Sequence, residues 1–162
     1  MVQELRFARV DSPLGPMWLA ETDAGVAAAS RSDTLESFLA PLRRRFRGLE
    51  PVPADIDAGW VLGASLPPVD LRGLSAFDRA VYEAVRRVPP GETITYGEVA
   101  ALIGSPGAAR AVGGAMSRCP LFPAVPCHRV VRASDGWSGW GGDDRLKRRL
   151  LQAERRVAAP RA

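Results

Sequence analysis

Thr95-Tyr96-Gly97-Glu98-Val99-Ala100-Ala101-Leu102-Ile103-Gly104-Ser105-Pro106 reads as one short helix, a stop, and the opening of a second helix. Thr95 and Glu98 have capping-box spacing: the hydroxyl accepts an amide one turn ahead while the carboxylate reaches back to the cap amide. Val99, Ala100, Leu102 and Ile103 give this helix its apolar side. Gly104 then supplies a stop, Ser105 an N-cap and Pro106 a first-turn proline, which predicts a further helix over residues 107 to about 118. Two short helices joined by a tight turn make a helix-turn-helix candidate. Upstream, Ser75 and Asp78 open another helix with Phe77, Val81, Ala84, Val85 and Val88 on one face, ended by Pro89-Pro90-Gly91.

The other half of the chain has a different period. Residues 4–10 alternate polar and apolar, Ser12-Pro13-Leu14-Gly15 has turn chemistry, and residues 17–20 and 25–29 continue a β-meander. Leu35, Phe38, Leu39, Leu42 and Phe46 then recur at helical spacing, with Pro41 predicting a break or kink inside that helix. Residues 50–71, rich in Pro, Gly, Asp and Ala, suit a linker. The expected architecture is α+β: a small β-rich N-terminal subdomain over residues 1–71, an antiparallel sheet plus a helix, then a mostly helical C-terminal domain with a helix-turn-helix over residues 72–162.

With 162 residues and 46% apolar content the chain can bury a core. It has no run of about 18 apolar residues to cross a bilayer, and its first residues lack the basic-then-apolar pattern of a signal peptide, so a cytoplasmic location is expected. Residues 1–72 hold 8 Arg/Lys against 10 Asp/Glu, and residues 73–162 hold 14 against 8, which makes the second half the one to meet a polyanion. Arg145, Lys147, Arg148, Arg149, Arg155 and Arg156 read as a solvated basic surface near its end. The predicted helix over 107–118 is built from small residues, Gly107, Ala108, Ala109, Ala111, Gly113, Gly114 and Ala115, around one long side chain, Arg110. Such a helix either packs tightly inside the protein or lets a nucleic-acid groove come close.

Chemistry concentrates in Val125-Pro126-Cys127-His128-Arg129-Val130-Val131. A thiol attacks as thiolate and needs a base or a positive field to ionise, and His128 is the single imidazole of the chain. Cys119 and Cys127 read as free thiols, and with His128 they are too few for a closed zinc site. Beyond a Gly/Trp-rich loop over residues 135–142, a last helix begins near Asp143, with Leu146, Leu150 and Leu151 inward.

The ordered blocks Pro90-Gly91-Glu92-Thr93-Ile94-Thr95-Tyr96-Gly97-Glu98-Val99-Ala100, Ala108-Ala109-Arg110-Ala111-Val112-Gly113, Pro126-Cys127-His128-Arg129-Val130-Val131 and residues 147–154 resemble the O6-alkylguanine-DNA alkyltransferase family. The likeness is strong over residues 75–156. Asp11-Ser12-Pro13-Leu14-Gly15 is similar to the opening hairpin of the family's N-terminal subdomain. The resemblance implies DNA repair by irreversible, stoichiometric transfer of an alkyl group from O6-alkylguanine to Cys127, with no cofactor and no metal. His128 would act on the thiol through a water, Glu154 would orient and charge the imidazole, and Tyr96 would crowd the target phosphate and give its hydroxyl to the leaving base. Arg110 would fill the stack vacated by the extruded nucleotide. Ala109, Gly113, Ser117 and Arg129 join Tyr96 and Arg110 as implied DNA contacts. The carbonyls of Cys127 and Val130, with Trp140 and Gly141, would form the base pocket. The implied partner is double-stranded DNA containing O6-alkylguanine, met by a monomer away from membranes.

Two departures from the family stand out. Cys119 occupies the position before Pro120 where Asn is usual, and a thiol lacks an amide's combination of donors and acceptor. Trp140 stands where Tyr is common, in a loop about one residue different in length. A module that binds the lesion without reacting and signals to other repair proteins is the alternative reading, and a Cys-His hydrolase is a third. The third is disfavoured because neighbours in an extended segment point to opposite sides.

Overall fold

The computed structural model describes residues 4–31, 33–134 and 144–158. The chain is α+β and divides into two compact units, one of Met1–Ser75 with Pro120–Ala124 and one of Ala76–Cys119 with Val125–Ala162. Pro120–Ala124 thus joins the first unit although it follows the helices of the second in sequence. Its Pro120 carbonyl accepts the Ala29 amide at 2.8 Å.

In the first unit β1 (Leu5–Val10), β2 (Met17–Thr22) and β3 (Gly25–Ser30) form the expected antiparallel meander. The 50–71 stretch is more than a linker. It contributes β4 (Pro51–Pro53), which pairs parallel with β1 in a sheet of order β3-β2-β1-β4, and Val69 bridges Val26. Its prolines hid the strand from sequence reading, yet an edge strand tolerates residues without an amide proton. Helix α1 (Leu35–Arg45) also departs from expectation, because it runs unbroken through Pro41. Thr34 caps it by accepting the Ser37 amide at 3.2 Å. Phe38, Leu39 and Leu42 are buried with Leu5, Ala20, Ala28 and Phe46. Burying three such side chains, at roughly 1.5–3 kcal/mol each, outweighs the cost of about 3 kcal/mol for an interior proline.

The second unit carries α2 (Ala76–Arg86), β5 (Ile94–Thr95), α3 (Tyr96–Leu102), α4 (Ala109–Ser117), a 3-10 turn (Cys127–Arg129), β6 (Val130–Val131) and α5 (Asp144–Ala158). The apolar face of α2 is inward as its period requires, with Val81 and Val85 fully buried. Tyr82, also fully buried, donates its hydroxyl to the Ala115 carbonyl at 2.7 Å and so ties α2 to α4. The α3 capping box forms as its residues dictate: Thr95 accepts the Glu98 amide at 3.0 Å, and Glu98 accepts the Thr95 amide at 3.3 Å. Gly104, at φ +80°, reverses the chain. Its amide bonds the Ala101 carbonyl and the Ser105 amide bonds that of Ala100, the paired bonds of a Schellman stop. Helix α4 begins two residues later than expected and its N-cap is Ala108, without side-chain capping, so Ser105 serves the turn instead.

β5 and β6 pair in parallel, Ile94 opposite Val130 and Thr95 opposite Val131. This short ladder positions the site. It sets the start of α3, with Tyr96, beside the strand that follows Cys127. No helix among the described residues is long and apolar enough to cross a membrane.

Candidate active site

Pro126 shapes the reacting segment. At φ −78° and ψ 69° it is the centre of an inverse γ-turn, closed by the Cys127 amide on the Val125 carbonyl at 2.8 Å. The chain then coils: Arg129 N–H reaches the Pro126 carbonyl at 3.0 Å, and Val130 N–H bonds the Cys127 carbonyl. The strand or turn expected here is therefore a 3-10 turn leading into a strand. With three residues per turn, Cys127, His128 and Arg129 leave the backbone in three directions. All three are buried, at 3%, 2% and 6% exposure.

His128 and Arg129 converge on Glu154 of α5. His128 Nε2 lies 2.5 Å from Glu154 Oε1, and Arg129 donates through Nη2 to Oε1 at 2.9 Å and through Nε to Oε2 at 3.0 Å. Arg129 is anchored in turn by Nη1 on the Val88 carbonyl at 2.7 Å, and the Gly91 amide approaches Glu154 Oε2 at 3.3 Å. Burial alone would raise the Glu154 carboxyl, but the bonds from His128 and Arg129 prevail and bring it down to about 2. Burial has the larger say at His128, whose pKa lies below the ordinary imidazole value despite Glu154. The resting pair is then an ionised carboxylate and a neutral imidazole. Because the carboxylate only accepts, Nε2 carries the proton and Nδ1 holds the basic lone pair.

The Cys127 thiol is pushed well above its ordinary value, first by a hydrogen bond with the Cys119 thiol, then by burial, with the charge of Lys147 opposing both. In the resting site Cys127 is thus a protonated thiol beside a neutral base. A Cys119→Ala protein should have a more acidic Cys127, seen as faster iodoacetamide labelling of the Cys127 peptide near neutral pH. Labelling unchanged across the pH range would show that Cys119 does not govern the sulfur.

Tyr96 is half-buried at the start of α3, and a methyl group built on Gly113 would meet its ring at 4.0 Å. Arg110 and Ser117 are exposed on α4, and Ala109 and Gly113 are half-buried, so positions 110, 113 and 117 share one outward side at helical spacing. Arg129 needs correction. It was expected at a DNA surface, and it is instead interior and occupied by Glu154 and Val88, because the 3-10 turn swings it inward. Both carbonyls assigned to base reading are already engaged within the fold, that of Cys127 by the Val130 amide and that of Val130 by Lys147 Nζ at 2.5 Å. Trp140 and Gly141 lie outside the described residues.

Lys147 is the functional residue that sequence reading misplaced. It was grouped with a solvated basic surface, and it has no exposure at all. The signal was present: Lys147, Leu150, Leu151 and Glu154 recur at i, i+3, i+4 and i+7 and so share a face of α5. Among the described residues no group of three or more His, Cys, Asp and Glu side chains could hold a metal ion.

A family profile described as "6-O-methylguanine DNA methyltransferase, DNA binding domain" matches residues 76–156. A methylated-DNA–protein-cysteine methyltransferase of Mycolicibacterium paratuberculosis is 39% identical over 159 residues, spanning 94% of this chain and 93% of the relative. The crystal structure of the Mycobacterium tuberculosis O6-methylguanine methyltransferase superposes with a TM-score of 0.71 at 36% identity, covering 99% of this chain and 97% of the other. A Mycobacterium tuberculosis OGT crystal structure in complex with DNA gives a TM-score of 0.73 at 34% identity, with 94% of each chain covered.

Proposed function

Since this chain belongs to the O6-methylguanine-DNA methyltransferase family, we propose that the buried Cys127–His128–Glu154 arrangement is the apparatus by which it performs that repair reaction. The protein is a DNA repair enzyme that moves an alkyl group from damaged DNA to a cysteine of its own. The carrying observation is the 2.5 Å contact between His128 and an ionised Glu154, in the same turn that holds the thiol.

In this reading the thiol proton passes to His128 Nδ1 through a bridging water, and Glu154 stabilises the resulting imidazolium. The thiolate attacks the O6-alkyl carbon in line. A C–S bond forms as the C–O6 bond breaks, and the guanine departs with the electron pair and takes up a proton, supplied by the Tyr96 hydroxyl. The thioether formed offers water no ester or acidic bond to cleave, so each molecule reacts once.

A sulfur only 3% exposed cannot reach a base inside a duplex, which requires the nucleotide to swing out of the stack. The α3–α4 pair acts as the helix-turn-helix, with the outward side of α4 against the DNA. A methyl group at Gly113 would make only ordinary contact with Tyr96, so packing within the fold does not demand a glycine that costs about 1 kcal/mol in a helix. Close approach of a phosphate backbone does account for it. Arg110, exposed on the same side, fills the vacated stack, its planar guanidinium matching a base in thickness. The setting is cytoplasmic, wherever DNA is met.

The direct test is intact-mass and peptide mass spectrometry after mixing the protein with duplex DNA bearing O6-methylguanine. One methyl group should appear, on the Cys127 peptide. Binding without any gain in mass would replace this reading by that of a lesion-binding module. Arg110→Ala should slow transfer from duplex DNA by about tenfold or more, the scale of losing part of the few kcal/mol needed for unstacking, while leaving the reaction with free O6-benzylguanine near its original rate. Equal losses on both substrates would remove Arg110 from extrusion.

A further inference from the structure

Lys147 enters the second unit from α5 with its whole side chain out of water, and its Nζ donates to the Val130 carbonyl at 2.5 Å. That carbonyl closes the turn in which Cys127 sits, since the Val130 amide of the same residue is bonded to the Cys127 carbonyl. Burial of an ammonium costs several kcal/mol, and a neutral side chain of similar length would fill the same space at less cost. The helix face it shares with Leu150 and Leu151 asks for an apolar residue.

We infer that Lys147 is a positioning residue for alkyl transfer: its buried ammonium locks the Cys127–Val130 turn through the Val130 carbonyl and supplies the fixed positive charge against which the Cys127 thiolate forms. The inference rests on Cys127 being the acceptor. The groups facing the sulfur are Cys119 beyond α4, Tyr82 of α2, and Lys147 of α5, with His128 next in the chain. Among them Lys147 is the positive charge that favours the thiolate, and Cys119 works against it. The same ammonium disfavours the His128 imidazolium, which Glu154 offsets. The two charges of α5 thus divide the work, Lys147 on the sulfur and Glu154 on the ring.

The test compares Lys147→Met, Lys147→Gln and Lys147→Arg in the full chain. Iodoacetamide labelling of the Cys127 peptide is followed against pH, alongside the single-turnover rate with O6-benzylguanine. Labelling needs no alkylguanine, so it reads the sulfur even if the repair reading fails. Lys147→Met should lower both rates at neutral pH by roughly tenfold, the effect of removing one partly screened charge, with the loss recovered at alkaline pH. Lys147→Arg should keep the original pH profile. Lys147→Gln, which retains a donor for the Val130 carbonyl but no charge, should behave like Lys147→Met. If the neutral variants are slow while their pH profiles stay unshifted, Lys147 only supports the fold and the inference fails. Should Lys147→Met not fold, an unshifted profile in Lys147→Gln overturns it equally.

Discussion

A Cys127→Ser protein should bind alkylated duplex DNA and take no alkyl group from it. Serine preserves the size of the buried side chain and its place in the γ-turn and 3-10 turn, both made by the backbone. The nucleophile is what changes. A hydroxyl ionises far less readily than a thiol, and a neutral imidazole working through a water does not overcome that difference for in-line displacement at carbon. Intact mass after long incubation with methylated duplex should therefore be unchanged, while wild type gains one methyl group. Cys119 makes the experiment sharper, because its thiol lies within hydrogen-bonding reach of the reacting sulfur. A methyl group found on the Cys119 peptide of the variant would show that the acceptor role does not belong to Cys127 alone.

Removing the charge of Glu154 should produce the second large effect, on stability and rate together. Glu154→Gln leaves the buried Arg129 guanidinium without its carboxylate, and breaking such a pair costs about 3–5 kcal/mol. It also withdraws support from the imidazolium, so transfer should slow by about a hundredfold or more. Urea unfolding midpoints and single-turnover rates measure the two effects separately. Arg129→Met is the complementary case: it strands the carboxylate, and it should destabilise the fold by a similar amount although Arg129 touches neither sulfur nor substrate. An unchanged midpoint in both variants would mean that the charges are not coupled as the geometry requires. The pH dependence has a definite sign. The folded carboxyl lies at about 2 against 4.5 for an ordinary glutamate, so its stabilisation is complete above the ordinary value. It is lost as pH falls from there toward about 2, and Glu154→Gln should abolish this part of the acid sensitivity.

Local interactions were the readily legible part of the fold. The Thr95/Glu98 capping box, the Gly104 stop and the apolar face of α2 each depend on residues within a turn or two of one another, and each forms as expected. Pro41 misled because its penalty is local while the burial that outweighs it is contributed by distant strands. Residues 50–71 misled for the same reason, since a parallel partner supplied by β1 is invisible in a run of prolines. At the candidate site the chemistry of Cys127, His128 and Glu154 was legible from the family motif. The inward path of Arg129 was not, because it follows from a 3-10 turn where an extended segment was in view.

The amino-acid sequence by itself determined the α+β class, the family, the helix boundaries set by caps and glycine, and the nucleophile with its imidazole neighbour. All of these depend on side-chain chemistry and short spacings, which survive in a linear string. Tertiary structure alone decided which charges are withdrawn from water: Lys147 fully, Arg129 nearly so, each aimed at the turn that carries the sulfur. The physical reason is that ionisation within a protein depends on distance and solvent exclusion. Those arise only when α5 and the 127–131 segment, separate in the chain, are brought together.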